Sequence, residues 1–195
     1  MKKYIIFDLD GTLIKSNNKT KDIIFNFFKE KQPEYYDVLK YSIDFKKTPH
    51  FKEIFIQVYG KFEEKEKKIH DELYEYLDEA NKESVFKKGT IKKILKLKDR
   101  YSLYLSTGSS TKIAKQILKE GGIEQHFEII LGSEKIPKSE EHLDIFMEHS
   151  RDENFYKKSI SIGDGLCDEI FAKNRDIDFI KIGKKYKNIS DIKEI

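Results

Sequence analysis

The chain has 195 residues, enough for one core domain with an insertion and for a substantial buried core. Its 38 basic residues against 35 acidic ones leave a net charge of +3, which gives no footprint for nucleic acid. No apolar run is long enough to span a bilayer and the first residues lead directly into a strand instead of a signal sequence, so a cytoplasmic protein with no membrane partner is expected.

Tyr4 to Phe7 is a short apolar run that drives into Asp8-Leu9-Asp10-Gly11-Thr12-Leu13. Side chains at i and i+2 of an extended segment point the same way, so Asp8 and Asp10 share one side, with Gly11 permitting a sharp turn. Two carboxylates held this close repel each other, and a bound cation or a shared proton is the usual reason to tolerate them. An acidic turn is the simpler reading of this segment taken alone.

After Thr12 the pattern becomes helical. Ile23, Ile24, Phe27 and Phe28, then Phe51, Ile54, Phe55, Val58 and Tyr59, then Ile69, Leu73, Tyr76, Leu77 and Ala80 recur at helical spacing, broken by Pro33, Thr48-Pro49 and Gly60. A block of about seventy residues between two strands is too long for a crossover, and it predicts an inserted helical bundle. Phe62 to Lys68 places acids before bases as on an exposed helix face. Lys46, Lys47 and His50 fall in interhelical loops, where they can meet the distal group of a ligand.

From Gly89 onward strands and helices alternate: a helix around Ile91, Ile94 and Leu95, a strand from Tyr101 to Ser106, a helix from Ile113 that stops at Gly121-Gly122, and a strand from Phe127 to Leu131. A helix through Leu143 to Met147, a strand from Ser159 to Ile162, a helix at Ile170 to Lys173 and a last run from Ile177 to Ile182 follow. This order predicts a parallel sheet with helices on both faces. The lysine-rich tail from Lys184 to Lys193 reads as a solvated end. His50, His70, His126, His142 and His149 are scattered, which argues against a zinc site, and the single Cys167 fits a reducing compartment.

Ligand sites of such sheets gather at the carboxyl ends of the strands, so three distant segments can converge on Asp8. Thr107-Gly108-Ser109-Ser110 is a hydroxyl-rich turn before a helix and suits a phosphate. Ile136-Pro137-Lys138-Ser139 offers a cation, and Gly163-Asp164-Gly165-Leu166-Cys167-Asp168-Glu169 offers more carboxylates.

In this order the segments resemble the haloacid dehalogenase superfamily, Mg-dependent phosphohydrolases that work through an aspartyl-phosphate, over nearly the whole chain. The signature DxDGT[LI] is matched by Asp8 to Leu13, and Gly-Asp-xxx-Asp by Gly163-Asp164 and Asp168. The resemblance implies an α/β fold: a Rossmann-like doubly wound core in 1–15 and 86–195, with a helical cap of the C1 type in 16–85. It implies Asp8 as nucleophile and Asp10 as general acid, then general base. A Mg2+ ion would be held by the Asp8 and Asp164 carboxylates and the Asp10 carbonyl, with Asp168 supporting the metal or its water shell. Thr107 and Lys138 join Asp8 and Asp10 as catalytic residues, while Gly11, Thr107, the Gly108 N–H and Lys138 contact the substrate. Ser106 remains an alternative hydroxyl. Lys135 remains an alternative lysine, because Ser139-Glu140-Glu141 stands where the family often has Pro-x-Pro. Independently of the metal, Asp168 and Glu169 also read as acids favoured at a helix N-terminus.

The resemblance implies a phosphatase acting on a small phosphorylated metabolite, phosphoglycolate-phosphatase-like or sugar-phosphatase-like, since a second aspartate at Asp10 separates phosphatases and phosphomutases from true dehalogenases. A phosphomutase like β-phosphoglucomutase is the nearest rival, and an inactive regulatory protein of the same fold a further one. A receiver module shares the aspartate chemistry but is shorter and lacks the insertion. The sequence does not fix the phosphoester or the oligomeric state.

Overall fold

The computed structural model describes residues 2–15, 20–44, 51–82 and 84–193, in two compact units. One comprises Met1–Ser16 and Glu83–Ile195, the other Asn17–Lys82. Val85 and Phe86 pair with the first unit: Val85 O accepts from Lys15 N at 2.9 Å, and Phe86 forms an antiparallel bridge with Ile14.

The first unit is a five-stranded sheet of β1 (Tyr4–Phe7), β2 (Ser102–Ser106), β3 (Phe127–Leu131), β4 (Ser159–Gly163) and β5 (Asp178–Lys181). Every pairing is parallel and the order is β3-β2-β1-β4-β5. Because β1 is central, its short run must be apolar on both sides, and the alternation of the strand distributes it. Ile5 and Phe7 join Leu103 and Leu105 in a core with α5 (Thr90–Leu97) and α6 (Thr111–Glu120). Ile6 joins Tyr104 on the opposite face, against α7 (Glu140–Ser150) and α8 (Leu166–Asn174). Each fully buried Phe, Ile or Leu contributes on the order of 1.5–3 kcal/mol. The doubly wound sheet expected from the sequence is present.

The chain winds from β1 to β2 and β3 on one side, then crosses to β4 on the other, so the strand order switches beside β1. Such a switch opens a crevice at the carboxyl ends of the strands. In register, Phe7 lies level with Leu105 and Ile162, which brings Asp8, Ser106 and Gly163 level one residue later.

The second unit is helical: α1 (Thr20–Lys31), α2 (Tyr36–Ser42), α3 (Phe51–Tyr59) and α4 (Glu64–Asn81). It has its own core of Ile24, Phe27, Phe28, Leu39, Phe55, Ile69 and Leu73. The spacing of apolar residues pointed to α1, α3 and α4 but not to α2, which buries only Leu39 and so leaves no periodic trace. Glu66, expected on an exposed face, is buried because its carboxylate turns back to accept from Glu63 N at 3.0 Å, capping α4. Lys46, Lys47 and His50 lie outside the described residues.

The tail corrects another expectation. Ile189 and Ile192 are buried in the core of the first unit, and Ser190 Oγ donates to Lys88 O at 3.0 Å. Their spacing of three places both on one side of the 3-10 turn Ile189–Asp191, which packs against α5 while the lysines stay in water.

Candidate active site

Asp8 leaves β1 with its backbone still in the sheet, its N–H donating to Ile162 O at 2.9 Å. The side chain is buried and both oxygens are engaged. Lys138 Nζ lies 2.6 Å from Oδ1, and Thr12 Oγ1 donates to Oδ2 at 3.1 Å. Thr12 comes from the turn that Gly11 opens at φ 73. The sequence motif contained Thr12 without giving it this task.

Lys138 is the residue before the N-cap of α7, where Ser139 Oγ accepts from Glu141 N. The approach to it is pinned: Lys138 N donates to Ser133 Oγ at 3.0 Å, and that hydroxyl donates to Thr107 O at 2.8 Å. His142, fully buried, accepts or donates at both ring nitrogens, 2.9 Å from Ser106 Oγ and 2.9 Å from Ile136 O. A carbonyl only accepts, so Nε2 carries a proton. These bonds tie the lysine loop to the end of β2. Lys138 Nζ then spans from Asp8 to Asp168 Oδ1, at 2.5 Å, whereas Lys135 is exposed.

Asp168 sits in the first turn of α8, with its other oxygen accepting from Gly165 N at 3.1 Å. Gly163 makes room for it: a Cβ there would lie 2.4 Å from Asp168 Oδ2. Asp164 joins the group, since one carboxylate oxygen each from Asp8, Asp164 and Asp168 lies within 4.8 Å of the others. Glu169 turns away and pairs with Lys181 at 2.8 Å.

Asp10 is held from the β2 turn, with Ser109 Oγ donating to its Oδ2 at 2.7 Å. Thr107 is buried and its Oγ1 accepts from Ser109 N at 3.1 Å, which leaves the hydroxyl proton for another acceptor. Ser106 is engaged with His142, on the sheet face of Tyr104. Gly108 is exposed in the same turn, and the buried Gly11 presents its carbonyl to Lys87 Nζ at 2.6 Å. The structure therefore brings Asp8, Lys138, Asp164 and Asp168 into one cluster and adds Ser109 and Thr12. Ser109 had been read only as part of a hydroxyl-rich turn.

Charge governs this cluster. Burial raises the Asp8 carboxyl well above its ordinary range, Lys138 opposes that, and Asp168 adds to it. Burial also raises Asp10, against the Ser109 hydrogen bond and Lys138. Asp164 is raised by burial and by Asp168. Burial alone would lower Lys138, but Asp8 and Asp168 outweigh it and hold the ammonium above its ordinary value. Burial is thus the first cause of the raised Asp8, Asp10 and Asp164 carboxyls, whereas Lys138 is held up by the carboxylates around it. A surplus of negative charge on clustered oxygens is the donor chemistry of a hard divalent cation, and the residues present fit one.

The sequence matches the haloacid dehalogenase-like hydrolase family over residues 5–182. The chain belongs to this family. Solved structures agree with that placement. A predicted phosphatase from Clostridium acetobutylicum is 25% identical, with a TM-score of 0.66 over 93% of this chain and 84% of that one. CbbY from Rhodobacter sphaeroides, in complex with phosphate, is 17% identical, with a TM-score of 0.69 over 94% and 87%. A predicted phosphoglycolate phosphatase from Haemophilus somnus is 20% identical, with a TM-score of 0.67 over 96% and 87%. A comparison with curated proteins gave no match. As a haloacid dehalogenase-like hydrolase the chain is an enzyme. Among the described residues no helix is long and apolar enough to cross a membrane.

Proposed function

We propose that the enzyme is a Mg2+-dependent phosphatase that hydrolyses a small phosphomonoester through an aspartyl-phosphate on Asp8, in the manner of a phosphoglycolate or sugar phosphatase. The observation that carries this reading is the Asp8 carboxylate at the end of the central strand, fixed by Lys138 and faced by Asp164 and Asp168. A nucleophile of this kind must be aimed and kept in place, and the lysine does both while supplying positive charge where negative charge gathers on phosphoryl transfer.

Asp8 and Asp164, with the Asp10 carbonyl, would hold Mg2+. A bound Mg2+ neutralises the phosphate and lowers its repulsion by Asp8. Asp168 gives one oxygen to Lys138 and the other to Gly165 N, so in this reading it supports the lysine from behind. An Asp8 oxygen attacks phosphorus, the P–O bond to the leaving group breaks, and Asp10 passes its proton to the departing oxygen. Asp10 then takes a proton from water, which attacks the acyl phosphate and releases inorganic phosphate. Thr107 and the Gly108 N–H, with Gly11 in the facing turn, serve the phosphoryl oxygens. The helical unit acts as the cap, and the setting is cytoplasmic, in keeping with a single cysteine, Cys167.

A panel of phosphorylated metabolites incubated with the enzyme and Mg2+, scored for free phosphate, tests the reading. Asp8→Asn is expected to abolish release while the fold persists, and Asp10→Asn to slow turnover strongly with Mg2+ binding retained. An unchanged rate in Asp8→Asn refutes the assignment. Isomerised sugar phosphate in place of free phosphate would identify a mutase.

A further inference from the structure

Lys87 stands where the chain re-enters the first unit, and no motif gives it a task. Its backbone is fixed by pairing, with its N–H donating to Leu13 O at 2.9 Å and its neighbour Phe86 bridged to Ile14. From there the side chain reaches the acidic turn and donates to the buried Gly11 carbonyl at 2.6 Å. Lys87 is half-buried and its acceptor is neutral, and among the described residues no ion pair cancels its charge. Lys138, in contrast, is shared by two carboxylates. An ammonium has three donors, and the Gly11 carbonyl uses one. The charge is felt within the cluster: burial and Asp168 raise the Asp164 carboxyl, and Lys138 and Lys87 are among the groups that pull it back.

The charge balance of the site gives Lys87 its role. With Asp10 carrying the proton that it gives to the leaving oxygen, Asp8, Asp164 and Asp168 against Lys138 leave two negative charges, which a divalent cation cancels. A phosphomonoester dianion then restores two. A further positive charge beside the nucleophile's own turn favours entry of that dianion and opposes the cation. We propose that Lys87 is a substrate-attracting residue of this site, whose uncancelled charge at the Gly11 carbonyl draws a doubly charged phosphoryl group toward Asp8. The proposal rests on the phosphatase reading. It separates Lys87 from a simple tether of the turn, because a tether would affect cation and anion alike.

The test uses the full chain in three forms: wild type, Lys87→Gln, which keeps an N–H donor for Gly11 but no charge, and Lys87→Arg, which keeps the charge. Thermal melts establish that each is folded, and calorimetry measures Mg2+ alone, then inorganic phosphate at saturating Mg2+. Lys87→Gln is expected to bind phosphate roughly fivefold more weakly and Mg2+ as tightly or up to about fivefold more tightly, with Lys87→Arg close to wild type in both. Raising the salt concentration should shrink the difference. Phosphate affinity unchanged in Lys87→Gln, or proportionate losses of Mg2+ and phosphate, overturns the proposal alone. A wild-type chain that binds Mg2+ but no phosphate overturns the phosphatase reading and this inference with it.

Discussion

Ser109 Oγ donates to Asp10 Oδ2 at 2.7 Å, so a residue of the β2 turn sets the orientation of the second aspartate of the β1 turn. A hydrogen bond to a charged group is worth about 1.5–3 kcal/mol, and losing it frees a carboxyl that must meet the leaving oxygen in one geometry. Ser109→Ala is therefore expected to lower kcat about tenfold or more with KM within about twofold, and Ser109→Thr to restore part of it. Steady-state kinetics on the best phosphoester decide this. A kcat equal to wild type would separate Ser109 from the chemistry.

Lys138 and Lys135 differ in what their removal exposes. Lys138 pairs with two buried carboxylates, and breaking such a pair by deleting one partner costs about 3–5 kcal/mol. Lys138→Ala should lose that much in urea unfolding without metal and should lose phosphate release. Lys135→Ala, at an exposed position, should stay within about 0.5 kcal/mol and keep its activity. The reverse ranking would show that the wrong lysine had been assigned.

Gly163 is required by a neighbour. An added Cβ would lie 2.4 Å from Asp168 Oδ2 and 2.5 Å from its Cγ, so Gly163→Ala must push Asp168 off its position and loosen its hold on Lys138. Overpacking of this kind costs about 1–3 kcal/mol. Gly163→Ala should lower the midpoint of urea unfolding accordingly and reduce kcat more than Asp168→Asn, which keeps the shape. A fully active Gly163→Ala would mean that Asp168 can relax without disturbing Lys138.

Much of this site was legible because its chemistry sits at strand ends. An apolar run ending in Asp8 and Asp10 breaks the rule that buried strands avoid charge, and Gly163-Asp164 repeats that break. The winding of the sheet then brings the segments together. Legibility failed where the outcome depends on loop geometry. Four polar or small residues from Thr107 to Ser110 do not reveal which hydroxyl faces Asp10. That is settled by Ser133 and Thr111, whose hydroxyls bond to Thr107 O and Gly132 N across two loops. Lys138 and Lys135 lie three residues apart and only the pinned backbone separates them. Ile189 and Ile192 were hidden by lysines, since one short turn gives no period to detect. Lys87 is one of 38 basic residues, and nothing local sets it apart.

Asp152 provides a pH test of the fold away from the site. Its carboxylate accepts from Lys158 Nζ at 2.7 and 2.9 Å, from Asn154 N at 3.0 Å and from Tyr4 Oη at 3.0 Å, joining the start of β1 to the turn before β4. Lys158 above all, with Asn154 and Tyr4 against a smaller effect of burial, holds the group down at about 2 from an ordinary 3.8. A depressed carboxyl stabilises the fold above its unfolded value, and that contribution fades as pH falls through the folded one. Asp152→Asn should therefore melt below wild type at pH 7, and the gap should narrow as pH falls from about 4 toward 2, because the wild type alone loses the charged network there. Thermal melts of the two proteins at stepped pH check this, and a gap that stays constant through that window would mean that the carboxylate is not linked to folding.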